Sequence, residues 1–257
     1  MLILNNIEKY YNPATVNQHC VFNKFNLEVE GGQFLNIVGS NGSGKTTLLN
    51  IICASTDIDG GSIIFDGRDI SQDKDFIRFG QIGRVYQDPS LGTAPSMTLL
   101  ENLAMADNKG DSWDLKRAVK KDDIYRYQSM LKELGLNLEN KLDEKVASFS
   151  GGQRQAISLL MATMTPIKLL VLDEHTAALD PKTADKIMDI TERIVIEKNL
   201  TVLMVTHNLR YALEYGDRLI MMHEGQIILD EKGREKEKIS LANLLEKFNQ
   251  ISIELGN

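Results

Sequence analysis

An α/β fold is predicted by three apolar segments, each ending in chemistry-bearing residues. Phe34-Leu35-Asn36-Ile37-Val38 suits a buried strand; it runs into Gly39-Ser40-Asn41-Gly42-Ser43-Gly44-Lys45-Thr46, after which Thr47-Leu48-Leu49-Asn50-Ile51-Ile52 reads as a buried helix. Leu169-Leu170-Val171-Leu172 is a second such strand and ends in Asp173-Glu174. Val202-Leu203-Met204-Val205-Thr206 is a third, and it ends at His207.

The remaining elements follow in chain order. Residues 1 to about 32 alternate, as in Phe25-Asn26-Leu27-Glu28-Val29, which predicts strands of an antiparallel sheet leading into the core. Asp66-Gly67 after Ile63-Ile64-Phe65 marks a hairpin turn. From about Asp88 to Met164 the sequence turns helical and charged, carrying Trp113 and the Lys120-Lys121-Asp122-Asp123 cluster. Within it, Gln153-Arg154-Gln155-Ala156-Ile157 begins a helix whose apolar stripe is Ile157, Leu160, Met161 and Met164. After the acidic strand comes a helix with apolar positions Ala184, Ile187, Met188, Ile194 and Val195. Leu219 to Met222 and Gln226 to Asp230 form a strand pair around Glu224-Gly225. The mixed-sign run Glu231 to Lys238 reads as a solvated connection, and Leu241 to Phe248 as a short amphipathic helix. The expected organisation is a core with its antiparallel sheet, about 1–87 and 165–257, and a helical subdomain, about 88–164.

Composition narrows the function. The formal net charge of -7 disfavours a broad nucleic-acid surface. No apolar run approaches the ~18 residues of a spanning helix, and Met1-Leu2-Ile3-Leu4-Asn5-Asn6 lacks the basic start of a secretion signal, so a cytoplasmic chain is expected. Cys20 and Cys53 make no CxxC or disulfide framework. His19 and His223 have no metal-like companions and read as structural or surface residues.

The loop from Gly39 to Thr46 fits G-x-x-x-x-G-K-[ST] and has the strand-before, helix-after setting the pattern needs. Backbone N–H groups and the helix N-terminus then converge on phosphate oxygens. Lys45 would neutralise the β- and γ-phosphates, and Thr46 would ligate Mg²⁺. Asp173 is placed to hold the Mg²⁺ shell, and Glu174 to polarise a water aimed at the γ-phosphate; alone, such a pair could equally be a solvated strand exit. Ser150-Gly151-Gly152-Gln153 reads as a second anion-binding helix start: Ser150 offers a hydroxyl and the glycines allow close approach of backbone amides. The bland reading of that run is a flexible hairpin.

Together these motifs resemble those of ATP-binding cassette (ABC) ATPases, the nucleotide-binding subunits of ABC transporters. The resemblance implies a P-loop NTPase (RecA-like) core with an antiparallel β subdomain and an inserted α-helical subdomain, binding ATP and Mg²⁺ through Gly39 to Thr46 and Thr47. It makes Ser148-Phe149-Ser150-Gly151-Gly152-Gln153 the family's signature motif, with Phe149 where Leu is usual, a change expected to affect packing rather than chemistry. It makes Gln87 the glutamine that contacts Mg²⁺ or the attacking water, Asp180 the acid that crosses the dimer interface, and His207 the sensor of the γ-phosphate. Read without the resemblance, Gln87 is part of a turn, Asp180 a helix cap, and His207 a polar strand end. Tyr11 fits the aromatic that stacks on adenine, with Tyr10 a close competitor. His175 stands where many relatives have Pro.

The resemblance further implies a head-to-tail homodimer in which the signature of one subunit closes over ATP held by the other. It implies transmembrane permease subunits, and indirectly a solute-binding protein, with the chain held at the cytoplasmic face of the membrane. The wording around Gln87 and Asp173 resembles that of importers of the amino-acid type, such as those for tryptophan or other aromatic amino acids. The alternatives are an ATPase for export, lipoprotein extraction or cell division, and a soluble iron–sulfur-assembly type.

Overall fold

The computed structural model describes residues 1–109, 119 and 121–254, with side chains described through 248 except at Lys121. Trp113 and Lys120 lie outside these residues. The strands are β1 (Leu2–Tyr11), β2 (His19–Val29), β3 (Phe34–Gly39), β4 (Gly60–Phe65), β5 (Arg68–Asp69), β6 (Ile82–Val85), β7 (Leu169–Asp173), β8 (Thr201–Val205), β9 (Arg218–His223) and β10 (Gln226–Lys232). The helices are α1 (Lys45–Ile52), α2 (Asp75–Arg78), α3 (Leu99–Asp107), α4 (Lys121–Glu133), α5 (Gly151–Thr163), α6 (Pro181–Lys198), α7 (Leu209–Glu214), α8 (Arg234–Glu237) and α9 (Leu241–Glu254). The chain divides into two compact units: 1–79 with 171–174 and 199–257, and 80–170 with 175–198.

The first unit holds both kinds of sheet. Its antiparallel sheet runs β2-β1-β4-β5, with Leu2 opposite Val29 at one end of the first pair and Tyr11 opposite His19 at the other. Alternation puts Leu2 and Leu4 of β1, and Phe25, Leu27 and Val29 of β2, inside, and a register shift after Leu4 moves the buried side of β1 to Ile7. In its other sheet the order is β10-β9-β3-β8, followed by the end of β7. β3 pairs in parallel with both β8 and β9, while β9 and β10 form the antiparallel hairpin expected around Glu224-Gly225. β3 and β8 are buried at every residue, as the unbroken apolar runs required.

α1 begins at Lys45, two residues earlier than the apolar run suggests, because Gly44 takes the left-handed N-cap conformation. Its C-terminal carbonyls are closed by Arg78, whose buried guanidinium donates to Ile51 O at 2.6 Å and Ile52 O at 3.0 Å. The charged run Glu231–Lys238 departs from the solvated connection expected of it: Lys236 is buried and donates to the carbonyls of Tyr215 and Gly216, just past α7. Burial lowers the pKa of that ammonium to about 8. α9 also extends past Phe248, the expected end of the tail helix, and seats Leu244 against Val38, Leu219, Met221 and Leu229.

In the second unit, β6 lies beside the start of β7, and α3 to α6 surround them in sequence. α5 and α6 carry its two most informative caps. Ser150 Oγ accepts from Gln153 N at 3.3 Å while Gln153 Oε1 accepts from Ser150 N at 3.1 Å, a reciprocal capping box. Asp180 Oδ1 accepts from Thr183 N at 3.1 Å, starting α6 at Pro181.

Candidate functional site

A cleft of ≈ 300 Å³ in the first unit is lined by Asn41, Gly42, Ser43, Gly44, Lys45, Thr46 and Thr47 of the loop and α1, by Glu174 and His207, and by Tyr11, His19 and Val21. Residues from three distant parts of the chain are brought together because β3, β7 and β8 end at the same edge.

Lys45 governs the electrostatics of the loop. The residue is 5% exposed, and its ammonium donates to Gly39 O and Ser40 O at 2.8 Å each and to Ser43 Oγ at 3.3 Å. Burial lowers its pKa, and the carboxylates of Glu174 and Asp173 oppose that shift. A cation inside a ring of backbone, at the start of an eight-residue helix, provides charge for an anion that the protein's overall charge of -7 does not.

The acidic end has its own geometry. Glu174 follows β7 with φ 48°, a conformation non-glycine residues seldom take, while its N–H donates to Val205 O at 2.9 Å. Its Oε1 lies 2.6 Å from His207 Nε2. The carboxylate side chain is 16% exposed and the imidazole 44%, so the pair presents one shielded base and one accessible ring to the cleft. Thr46 and Asp173 offer oxygen donors, the type Mg²⁺ takes when phosphates and waters complete its octahedron. Among the described residues no group of three His, Cys, Asp or Glu forms a metal cage.

Tyr11, rather than Tyr10, lines the cleft. Tyr10 is held differently, its N–H donating to Asp59 Oδ2 at 2.7 Å. His19, read from sequence as structural or surface, lies across the strand pair from Tyr11 and lines the same cleft. Its signal was the antiparallel hairpin itself, whose register eight residues apart is invisible to a motif.

The other sequence-predicted residues lie in the second unit. Gln87 is exposed after β6, and the following Asp88 side chain caps the short 3₁₀ turn at Pro89 by accepting from Ser90 N at 2.9 Å. Ser150 to Gln153 form the first turn of α5 and its cap, so the helix starts at Gly151 and not at Gln153. Gly152 also serves packing, since a Cβ there would stand 2.3 Å from Thr183 Cγ2 of α6. Phe149 is 4% exposed, with Lys141 Nζ 5.8 Å from its ring centroid, a buried packing position.

His175 is 2% exposed, its Nε2 3.3 Å from Thr191 Oγ1. Because Thr191 spends its own proton on Ile187 O at 2.8 Å, its lone pair faces the ring and Nε2 carries the hydrogen. Burial lowers this imidazole's pKa to about 4. The folded value lies below the unfolded ~6.5, so the unfolded chain binds more protons between them. Stability is then complete above ~6.5 and falls by roughly 3 kcal/mol as pH drops to about 4. Urea unfolding at neutral and acid pH should show this loss, and His175→Gln, which keeps a donor to Thr191 without a titrating ring, should flatten it.

Comparison with known proteins adds the context of this cleft. A family model described as "ABC transporter" matches residues 22–177. The chain is 46% identical over 248 residues to the tyrosine transport ATP-binding protein of Clostridioides difficile, covering 96% of this chain and 98% of that one. It is 34% identical to a phosphonates import ATP-binding protein of a Ruegeria species, covering 90% and 89%. Among solved structures, a nucleotide-free ATP-binding cassette from an ABC transporter superposes with TM-score 0.80 at 29% identity, covering 100% of this chain and 99% of that one. A dimeric post-hydrolysis cassette bound to ADP and Pi superposes with TM-score 0.77 at 29% identity, covering 91% and 99%.

Proposed function

Since this chain belongs to the ABC transporter family as an ATP-hydrolysing cassette, we propose that it energises a membrane importer of a small solute, an aromatic amino acid such as tyrosine. The observation that carries the substrate class is its near full-length, 46% identity to a tyrosine transport ATP-binding protein. In this reading Tyr11 stacks on adenine, the loop from Gly39 through Thr47 with Lys45 holds the phosphates, and Thr46 and Asp173 would hold Mg²⁺. That ion, when bound, neutralises charge on the phosphate oxygens. Glu174 accepts the proton of the attacking water, and His207, fixed against it at 2.6 Å, senses the γ-phosphate.

Ser150 to Gln153 and Asp180 act on the nucleotide of a second copy of the chain. ATP binds the closed dimer better than the open one, and that difference is the free energy available to a partner's conformational equilibrium. The partners are permease subunits, contacted by a helical subdomain at about 88–164, and behind them a solute-binding protein. No described helix is long and apolar enough to cross a membrane, so the chain reaches the cytoplasmic face through the permease. The test is purification from membranes followed by ATPase measurement in proteoliposomes. Tyrosine-loaded binding protein should stimulate turnover several-fold over the unloaded form. A chain that fractionates without membrane subunits, or a complex indifferent to aromatic amino acids, would overturn the partner or the substrate reading respectively.

A further inference from the structure

The end of β9 and the turn that follows it meet the phosphate loop at three points. Gly39 approaches Met222 so closely that a Cβ would stand 2.2 Å from the Met222 carbonyl oxygen. His223 Nδ1 lies 3.4 Å from Ser40 Oγ. Gly225 N–H donates to Ser43 O at 3.1 Å. The residues backed by this turn, Gly39, Ser40 and Ser43, are the ones whose oxygens hold the Lys45 ammonium on the other side.

We propose that His223 is a positioning residue for nucleotide binding, acting through Ser40 to set the carbonyls that aim Lys45 at the phosphates. The inference rests on the nucleotide reading of the cleft and adds to it a residue with no place in the family motif. Its ring is largely enclosed, with the side chain 16% exposed. Nε2 is buried without a hydrogen-bond partner; its nearest carboxylate oxygen, on the exposed Glu224, is 3.9 Å away. A buried N–H without an acceptor is costlier than a bare lone pair, so the proton sits on Nδ1 and is donated to Ser40 Oγ. A glycine-rich loop held this way before ATP arrives loses less conformational freedom on binding.

Three variants test the contact. In asparagine, the side-chain polar atoms are bonded to Cγ, as Nδ1 is; in glutamine they stand one bond further out, at the level of Nε2. Titration of the wild-type chain and its variants with a fluorescent ATP analogue, with ATP as competitor, should show Kd raised about threefold to tenfold in His223→Leu and His223→Gln, the range a single lost hydrogen bond produces. His223→Asn should stay within twofold of wild type. In steady-state hydrolysis, KM for ATP should rise more than kcat falls. If all three variants bind ATP like wild type, or if His223→Asn is as weak as His223→Leu, the positioning role is overturned while the cleft's function stands. If the wild-type chain itself fails to bind ATP, both readings fall.

Discussion

Glu174→Gln is expected to bind ATP as the wild type does while losing turnover by about 10² to 10⁴-fold, the range a positioned general base supplies. The amide has the size and direction of the carboxylate and can still reach His207 Nε2, 2.6 Å away in the wild type, but it cannot take a proton from water. The hydrogen bonds that anchor Lys45, to Gly39 O, Ser40 O and Ser43 Oγ, are kept, since none of them involves Glu174. The backbone at Glu174 holds φ 48°, and its N–H is tied to Val205 O at 2.9 Å, so the side chain is aimed by β7 and β8. Such strain persists where surrounding structure enforces it. Phosphate release measured at saturating ATP, with size-exclusion chromatography of the same sample, should show an ATP-bound dimer accumulating. Wild-type turnover in this variant would remove Glu174 from the base role.

The parts of this site legible in sequence are those whose geometry is local. Gly39 to Thr46 is a single strand-loop-helix unit, so its pattern carries its own three-dimensional meaning, and Asp173-Glu174 and His207 were found because apolar runs marked where buried strands end. Contacts set by pairing across the chain were not legible. His19 joins Tyr11 only through the β1–β2 register, and His223 reaches Ser40 across 183 residues because β9 is the parallel neighbour of β3. Lys236 was concealed by composition: within a mixed-charge run, one stem-buried lysine that satisfies the carbonyls after α7 looks like its solvated neighbours. The first turn of α5 was misplaced by two residues because glycine argues against helix by propensity, whereas the Ser150–Gln153 capping box and the proximity of Thr183 favour it in place.

A mixture of two inactive chains should hydrolyse ATP. Each chain carries one Lys45, in the first unit, and one Ser150, in the second, and the proposed head-to-tail pair would place the Lys45 of one copy opposite the Ser150 of the other. Lys45→Ala removes the buried ammonium that the loop's carbonyls hold against the phosphates. Ser150→Arg puts a long cation at the capped start of α5, where the hydroxyl oxygen accepts from Gln153 N at 3.3 Å. Each variant alone forms only defective sites. In a mixed pair, however, the intact Lys45 of the Ser150→Arg chain faces the intact Ser150 of the Lys45→Ala chain, and both defects fall in the opposite site. One complete site per mixed dimer should therefore return, and hydrolysis should rise with the product of the two chain concentrations before saturating. Were each chain catalytically self-sufficient, with phosphate loop and signature serving the same nucleotide within one copy, mixing would restore nothing. A flat response with both variants folded would thus place the whole site in a single chain and remove the dimer from the chemistry.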